Sequence, residues 1–261
     1  MFDLTDEQIE RYSRQIILPH FGKKEQKKLL ESKVLMIGAG GLGSPAAYYV
    51  TAAGIGTLGL VDSDVVDRSN LHRQILHFTS DLGVRKTQSA ARKLSDLNPD
   101  CRIQQHSLRL DSSNILDVIE PYDVVLDGTD NFPARFLIND ACVMAGKPLI
   151  HAGVFQYEGQ ATTIIPGETP CYRCVFPEPP PPGLIPTGPE AGILGCVPGI
   201  MGAIQAAEAL KVLLKIGEPL MGKMLIFDAL SMQFRQTVIP RDKDCPVCSD
   251  HPAITHLIDY E

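Results

Sequence analysis

Val34-Leu35-Met36-Ile37-Gly38-Ala39-Gly40-Gly41-Leu42-Gly43 is the stretch on which the fold turns. Four consecutive apolar residues ending at a glycine read as a short strand buried on both faces. The glycines let the backbone turn tightly and approach a ligand, and the Ala-rich run from Leu42 to Ala53 reads as a helix. Strand, glycine turn and helix in that order gather free N–H groups and partial positive charge at one point, which suits a phosphate. Thr57 to Val61 is the next strand and ends at Asp62, where a carboxylate can accept bonds from ribose hydroxyls. Gly38, Gly40, Gly41, Gly43 and Asp62 are therefore candidate nucleotide residues. The competing reading is a glycine turn used only for packing.

The alternation extends outward. On the N-terminal side, Thr5-x-x-Gln8 resembles a capping box opening a helix to about Leu18, and a short helix follows at roughly 24–31. On the other side, helices are expected at about 86–97, 113–119 and 136–145, with strands near 101–106, 124–127 and 148–151. This predicts an α/β fold with a doubly wound, mostly parallel Rossmann-like sheet behind an N-terminal helical segment. After about residue 155 the pattern changes. Gln160 to Ile165 reads as a strand, 225–227 and 234–239 as antiparallel strands, and Met201 to Ile216 as a helix. Val175 to Pro189 contains Pro179 to Pro182 and reads as a crossing loop, spanning about 175–195 at its widest. One domain over 1–261 is the simplest division, with N-terminal helices at 1–32, a nucleotide-binding core at 33–155 and an elaborated part at 156–261.

Composition removes whole classes. The 261 residues carry a formal charge of −7, no Trp and only 6% aromatics, which disfavours a phosphate-held or base-stacking nucleic-acid binder. Hydrophobic residues at 44% exclude wholesale disorder. The acidic start lacks a signal peptide's basic and apolar regions, and no apolar run looks long enough for a membrane span. The expectation is a cytoplasmic protein.

Seven cysteines include two Cys-x-x-Cys pairs, Cys171/Cys174 and Cys245/Cys248. Four thiolates suit tetrahedral Zn²⁺ and leave no open position for water, so a structural ion joining distant segments is expected; redox dithiols are the rival. Cys101 and Cys142 sit in apolar surroundings as inert core thiols, and Cys196 precedes a Gly/Ala-rich helix with no activating base beside it. The seven histidines share no metal spacing.

Asn70, Arg73, Gln74 and Lys86 suit a triphosphate, whose charge needs several donors; a solvated charged surface is the plain alternative. Asp127-Gly128-Thr129-Asp130-Asn131 ends another strand on the ligand edge of the sheet. There Asp130 is suited to holding Mg²⁺ or to capping a helix.

Arg11-Tyr12-Ser13-Arg14-Gln15, the glycine loop, Ser69-Asn70-Leu71-His72-Arg73-Gln74, Asp130-Asn131, Gly159-Gln160 and the two Cys pairs occur in one order that resembles the MoeB/ThiF/HesA adenylyltransferases. These are bacterial relatives of the ubiquitin-activating enzymes. The resemblance runs from about residue 5 to 250. It implies a homodimer that binds ATP and Mg²⁺ and adenylates the C-terminal Gly-Gly carboxylate of a ubiquitin-like sulfur carrier, serving molybdopterin, thiamin or thiolated-tRNA synthesis. A cysteine desulfurase or a rhodanese would supply sulfur.

By motif, Gly41, Asp62, Asn70, Arg73, Lys86, Asp130 and Asn131 match nucleotide positions. Arg14 matches an arginine that reaches the phosphates from the other subunit. The expected catalytic set is Arg14, Arg73, Lys86 and Asp130. Many relatives carry a Cys just before Glu-Ala-Gly in the crossing loop, where this chain has Thr187-Gly188-Pro189. A covalent thioester or persulfide step is therefore not implied. The rivals are a tRNA-modifying adenylating enzyme, an NAD-dependent oxidoreductase and a non-catalytic, zinc-stabilised binding protein.

Overall fold

A computed structural model of the chain describes residues 3–181, 184 and 191–260. Its strands are β1 (Lys33–Ile37), β2 (Thr57–Val61), β3 (Arg102–His106), β4 (Val124–Asp127), β5 (Leu149–Phe155), β6 (Glu158–Ile164), β7 (Lys223–Asp228) and β8 (Gln233–Val238). They form one sheet in the order β3-β2-β1-β4-β5-β6-β7-β8. The pairs from β3 to β5 are parallel, and those from β5 to β8 are antiparallel, as the sequence pattern predicts. The chain runs outward from β1 to β3 and then crosses back to β4, on the other side of β1. The carboxyl ends of β1 and β4 thus form the switch point at which open α/β sheets bind ligands.

The helices are α1 (Asp6–Arg11), α2 (Ser13–Ile16), α3 (Lys23–Glu31), α4 (Gly43–Ala52), α5 (Lys86–Leu97), α6 (Ile115–Ile119), α7 (Phe132–Met144) and α8 (Cys196–Leu214). Alternate residues of β1 face opposite cores. Val34 and Met36 pack with α4, α5 and α8, whereas Leu35 and Ile37 pack with α6, α7 and the cysteine segments.

Four boundaries depart from the sequence expectation. The first helix breaks at Tyr12 (φ −97, ψ 9), whose buried ring is pinned by donation to Asp100 at 3.1 Å and acceptance from Asn98 at 2.9 Å. Helix α7 begins at Phe132, not near 136, because the Asn131 side chain caps it by accepting from Ala134 N at 2.9 Å. Helix α8 begins at Cys196, not Met201. Pro198 falls in its first turn, where no intrahelical N–H is required, and Gly202 lets the helix lie against Leu42, whose carbonyl would be 2.3 Å from an added Cβ. Strand β5 continues to Phe155 and turns through Gln156 (φ 52) into β6.

Helix α8 is apolar and long enough by length and composition to cross a bilayer, with a mean hydropathy of 1.4, contrary to the sequence expectation. Here it is packed against α4, β5 and β6. Its Gln205 is fully buried and donates to Asp127 O at 2.7 Å and Ile150 O at 3.0 Å, fastening the ends of β4 and β5. The stretch Thr187-Gly188-Pro189 and much of the expected crossing loop lie outside the described residues.

Candidate functional site

A cleft of about 720 Å³ opens at the carboxyl ends of β1, β2 and β4. Gly38, Gly40, Gly41, Asp62, Arg73, Gln74, Lys86, Asp130 and Asn131 all line it. Gly38 has φ +92, and an added Cβ there would lie 2.8 Å from Gly128 O, so both conformation and space demand glycine. Asp62 braces this turn, its two oxygens accepting from Ala39 N and Asp64 N, each at 2.9 Å. Lys86 is 5% exposed and its ammonium lies 2.9 Å from the Asp64 carboxylate. Arg73 donates to Ser69 O at 3.2 Å, and Gln74 is buried with Oε1 lacking a partner. Asp130 is exposed at the end of β4 and has no hydrogen bond or ion pair among the described residues.

Three expected nucleotide or phosphate residues do not line the cleft. An added Cβ at Gly43 would lie 1.8 Å from Gly38 O, so Gly43 closes the turn against itself by packing. Asn70 acts through its backbone: its carbonyl accepts from Arg73 N at 3.1 Å and Gln74 N at 2.9 Å, while its side chain donates to Ser69 Oγ at 3.2 Å. Arg14 is exposed on α2, outside the lining of the cleft.

The structure also brings up groups that the sequence reading missed. Below the glycine loop, His77 lies 2.9 Å from Ala39 O and 2.9 Å from Ser89 Oγ. The carbonyl can only accept, so Nε2 carries a proton and donates to it; burial pushes the ring down from its usual pKa. Asp81, fully buried, is bonded by Lys93, Arg92, Ser89 and Phe78 N.

Asp127, also buried, accepts from Thr129 at 3.0 and 2.7 Å and pairs with His151 at 2.7 Å. Burial pushes its carboxyl up, but His151 and Arg135 hold it below the usual carboxylate range. Arg135 is 9% exposed, donates to Thr129 O at 3.3 Å, has no partner for Nε and forms no ion pair among the described residues. Only the pairing of β4 with β5, which places Asp127 beside His151, reveals this cluster.

The four paired cysteines converge, with all sulfurs within 4.8 Å of one another. Cys171 Sγ is 3.5 Å from Cys245 Sγ, and Cys174 Sγ is 3.4 Å from Cys248 Sγ. Tetrahedral Zn²⁺ with ~2.3 Å bonds needs sulfurs about 3.8 Å apart, so the cluster fits this ion. Hydrogen bonds from the first pair draw the Cys245 thiol below its usual value. Cys101 and Cys142 are buried, and desolvation raises the former to about 11 and the latter further. Cys196, rather than preceding α8, is its exposed first residue.

The protein is similar to known chains along nearly its whole length. It is 48% identical over 262 residues to a sulfur carrier protein adenylyltransferase of Thermus thermophilus, covering 98% of this chain and 97% of that one. It is 52% identical over 259 residues to the adenylyltransferase and sulfurtransferase MOCS3 of Drosophila yakuba, of which it spans 57%. Among solved structures, E. coli MccB with AMPCPP and MccA superposes with a TM-score of 0.83 at 26% identity, over 95% of this chain and 75% of that one. MccB with ATP superposes with a TM-score of 0.79 at 26% identity, over 92% and 74%. The ThiF family model matches residues 12–247, with the glycine turn, every cleft-lining residue but Asp259 and Tyr260, and all but the last of the clustered cysteines inside the match: the chain belongs to the ThiF family.

Proposed function

We propose that this protein uses ATP to adenylate the C-terminal Gly-Gly carboxylate of a ubiquitin-like sulfur carrier protein and releases pyrophosphate. The observation that carries the reading is the concentration of anion-binding groups at the switch point. The glycine turn, Arg73 and Lys86 line one cleft. Two anions, a carboxylate and a polyphosphate, must meet there, and their repulsion is the main obstacle. The relative from Thermus thermophilus is named a sulfur carrier protein adenylyltransferase, and MccB has been solved with ATP.

A carboxylate oxygen forms a bond to the α-phosphorus, and the bridging bond to the β-phosphate breaks, its electron pair leaving with pyrophosphate. Lys86 and Arg73 offset the charge that collects on the phosphates, and the glycine turn fixes their position. Mg²⁺, when bound at the unpartnered Asp130 carboxylate, neutralises further phosphate charge. Zn²⁺ at the four cysteines is structural. In this reading the enzyme is a cytoplasmic homodimer, Arg14 reaches the site of the partner subunit, and a cysteine desulfurase or rhodanese delivers sulfur to the adenylated carrier. The carrier serves molybdopterin, thiamin or thiolated-tRNA synthesis.

The test is ATP–pyrophosphate exchange with purified carriers ending in Gly-Gly. Exchange that depends on the intact carrier terminus supports the reading. Absence of exchange with carriers of all three pathways refutes it.

A further inference from the structure

The segment that follows the second Cys pair returns to the carboxyl edge of the sheet and ends up in the cleft. Leu257 and Tyr260 pack against the core that contains the clustered cysteines. The Asp259 carboxylate is latched to Ser112, accepting from its N–H at 2.8 Å and from its hydroxyl at 2.6 Å. The Tyr260 hydroxyl accepts from Arg173 at 2.5 Å, and its ring lies 5.8 Å from Phe136. Arg173 is a rigid post. It is 1% exposed and makes two bonds to Asp140, at 2.8 and 2.7 Å, and one to Pro177 O at 2.8 Å.

Asp259 and Tyr260 both line the cleft, and they do so together with Leu108, Leu110, Pro133 and Leu137. The cleft therefore has two chemically distinct parts. Its charged part holds the glycine turn, Arg73, Lys86 and Asp130, which suit phosphates. Its apolar part, where Leu108, Leu110, Leu137 and Tyr260 belong to one hydrophobic cluster, has no counterpart in a pocket for phosphate alone; a planar, weakly hydrated base matches it. We propose that Asp259 and Tyr260 form the base-side wall of the nucleotide cleft and that Tyr260 contributes base affinity by presenting its ring to the nucleobase. This deepens the ATP reading given above and rests on it.

A wall of this kind contributes to binding in the ground and transition states alike, so its loss raises KM and leaves kcat in place. Binding is measured by calorimetry with two probes: AMPCPP, which carries the base, and tripolyphosphate, which lacks it. Tyr260→Ala is expected to weaken AMPCPP about tenfold, the scale of one lost base–aromatic contact, while tripolyphosphate changes by less than about twofold. Tyr260→Phe keeps the ring and should stay within about threefold of the parent for AMPCPP. Asp259→Ala releases the latch without touching the core and should reproduce the selective loss, with zinc content unchanged.

Equal weakening of both probes, no weakening of AMPCPP, or a phenylalanine variant as impaired as the alanine one would overturn the proposal. Failure of the adenylation reading looks different. Wild-type protein would then bind AMPCPP and show no carrier-dependent exchange, and the calorimetry would still decide the role of Tyr260.

Discussion

Zinc removal gives the sharpest prediction about stability. Cys174 and Cys245 are separated by 70 residues, and the four sulfurs meet within 4.8 Å. A cross-link that closes a loop of this length removes roughly 4–5 kcal/mol of chain entropy from the unfolded state, taking the loop-closure relation used for disulfides. Unfolding entropy for a chain of this size is about 550 cal/mol/K, so loss of the link should lower Tm by roughly 8 °C. Cys245→Ser should give a drop of that order and reduce bound zinc from about one per chain to near zero. Scanning calorimetry of protein purified without chelator, paired with elemental analysis, measures both quantities. Protein that contains no zinc, or a serine variant that loses its zinc and keeps its Tm, would refute the reasoning. A reductant-sensitive Tm without metal would instead favour the dithiol reading.

Asp130→Ala should cut carrier-dependent pyrophosphate exchange by ~10²–10³ with the melting curve unchanged; near-normal exchange removes Asp130 from the mechanism. Arg14→Ala and Asp130→Ala homodimers should each be inactive, and refolding them together should restore about a quarter of wild-type sites if Arg14 crosses between subunits. Exchange of subunits without recovery confines Arg14 to its own chain or excludes it. Asp81→Asn leaves Lys93 facing an uncharged group in a buried position and should cost about 3–5 kcal/mol in denaturant titrations at neutral pH. Burial pushes the Asp81 carboxyl up, but Lys93, the Phe78 N–H and Ser89 outweigh it and hold the folded pKa below the usual carboxylate value. Its contribution is therefore complete above about pH 4 and is lost as pH falls through the folded value, so the gap between variant and parent must close in acid; a gap independent of pH contradicts the assignment.

The sheet was legible in the sequence because its signal is local. Buried parallel strands such as Val34 to Ile37 appear as short apolar runs, and the glycine turn and Asp62 follow in a fixed order. The cleft follows from topology once strand order is known, which explains why Gly40, Lys86 and Asp130, remote in sequence, were placed together. Helix starts were less legible. Pro133 and Pro198 lie in the first turns of their helices, where a proline loses no hydrogen bond, and the helical period shows only beyond them. Arg135, His151 and Tyr260 gave no signal because their importance lies in their neighbours. His151 meets Asp127 only through the β4–β5 register, and Tyr260 reaches the cleft through the Asp259–Ser112 latch and its contacts with Phe136 and Arg173. Gly43 and Asn70 belong to the motifs but fall outside the cleft lining, because a motif spans the residues that shape a turn as well as those that face the cavity.

The pairing of Lys86 with Asp64 bears on how ionic strength acts on this site. The lysine side chain is 6% exposed and the aspartate 66%, so one end of the pair is sheltered and the other open to counterions. On the ATP reading, a phosphate entering the cleft would compete with Asp64 for an ammonium that is already desolvated, so binding would exchange one anion for another. Salt screens the incoming phosphate, but it also weakens the exposed pair that must be broken. The two effects oppose each other. Nucleotide affinity should therefore fall less steeply with added salt than the count of cations in the cleft suggests, while the buried Asp81 hub beneath the loop keeps the turn in shape throughout.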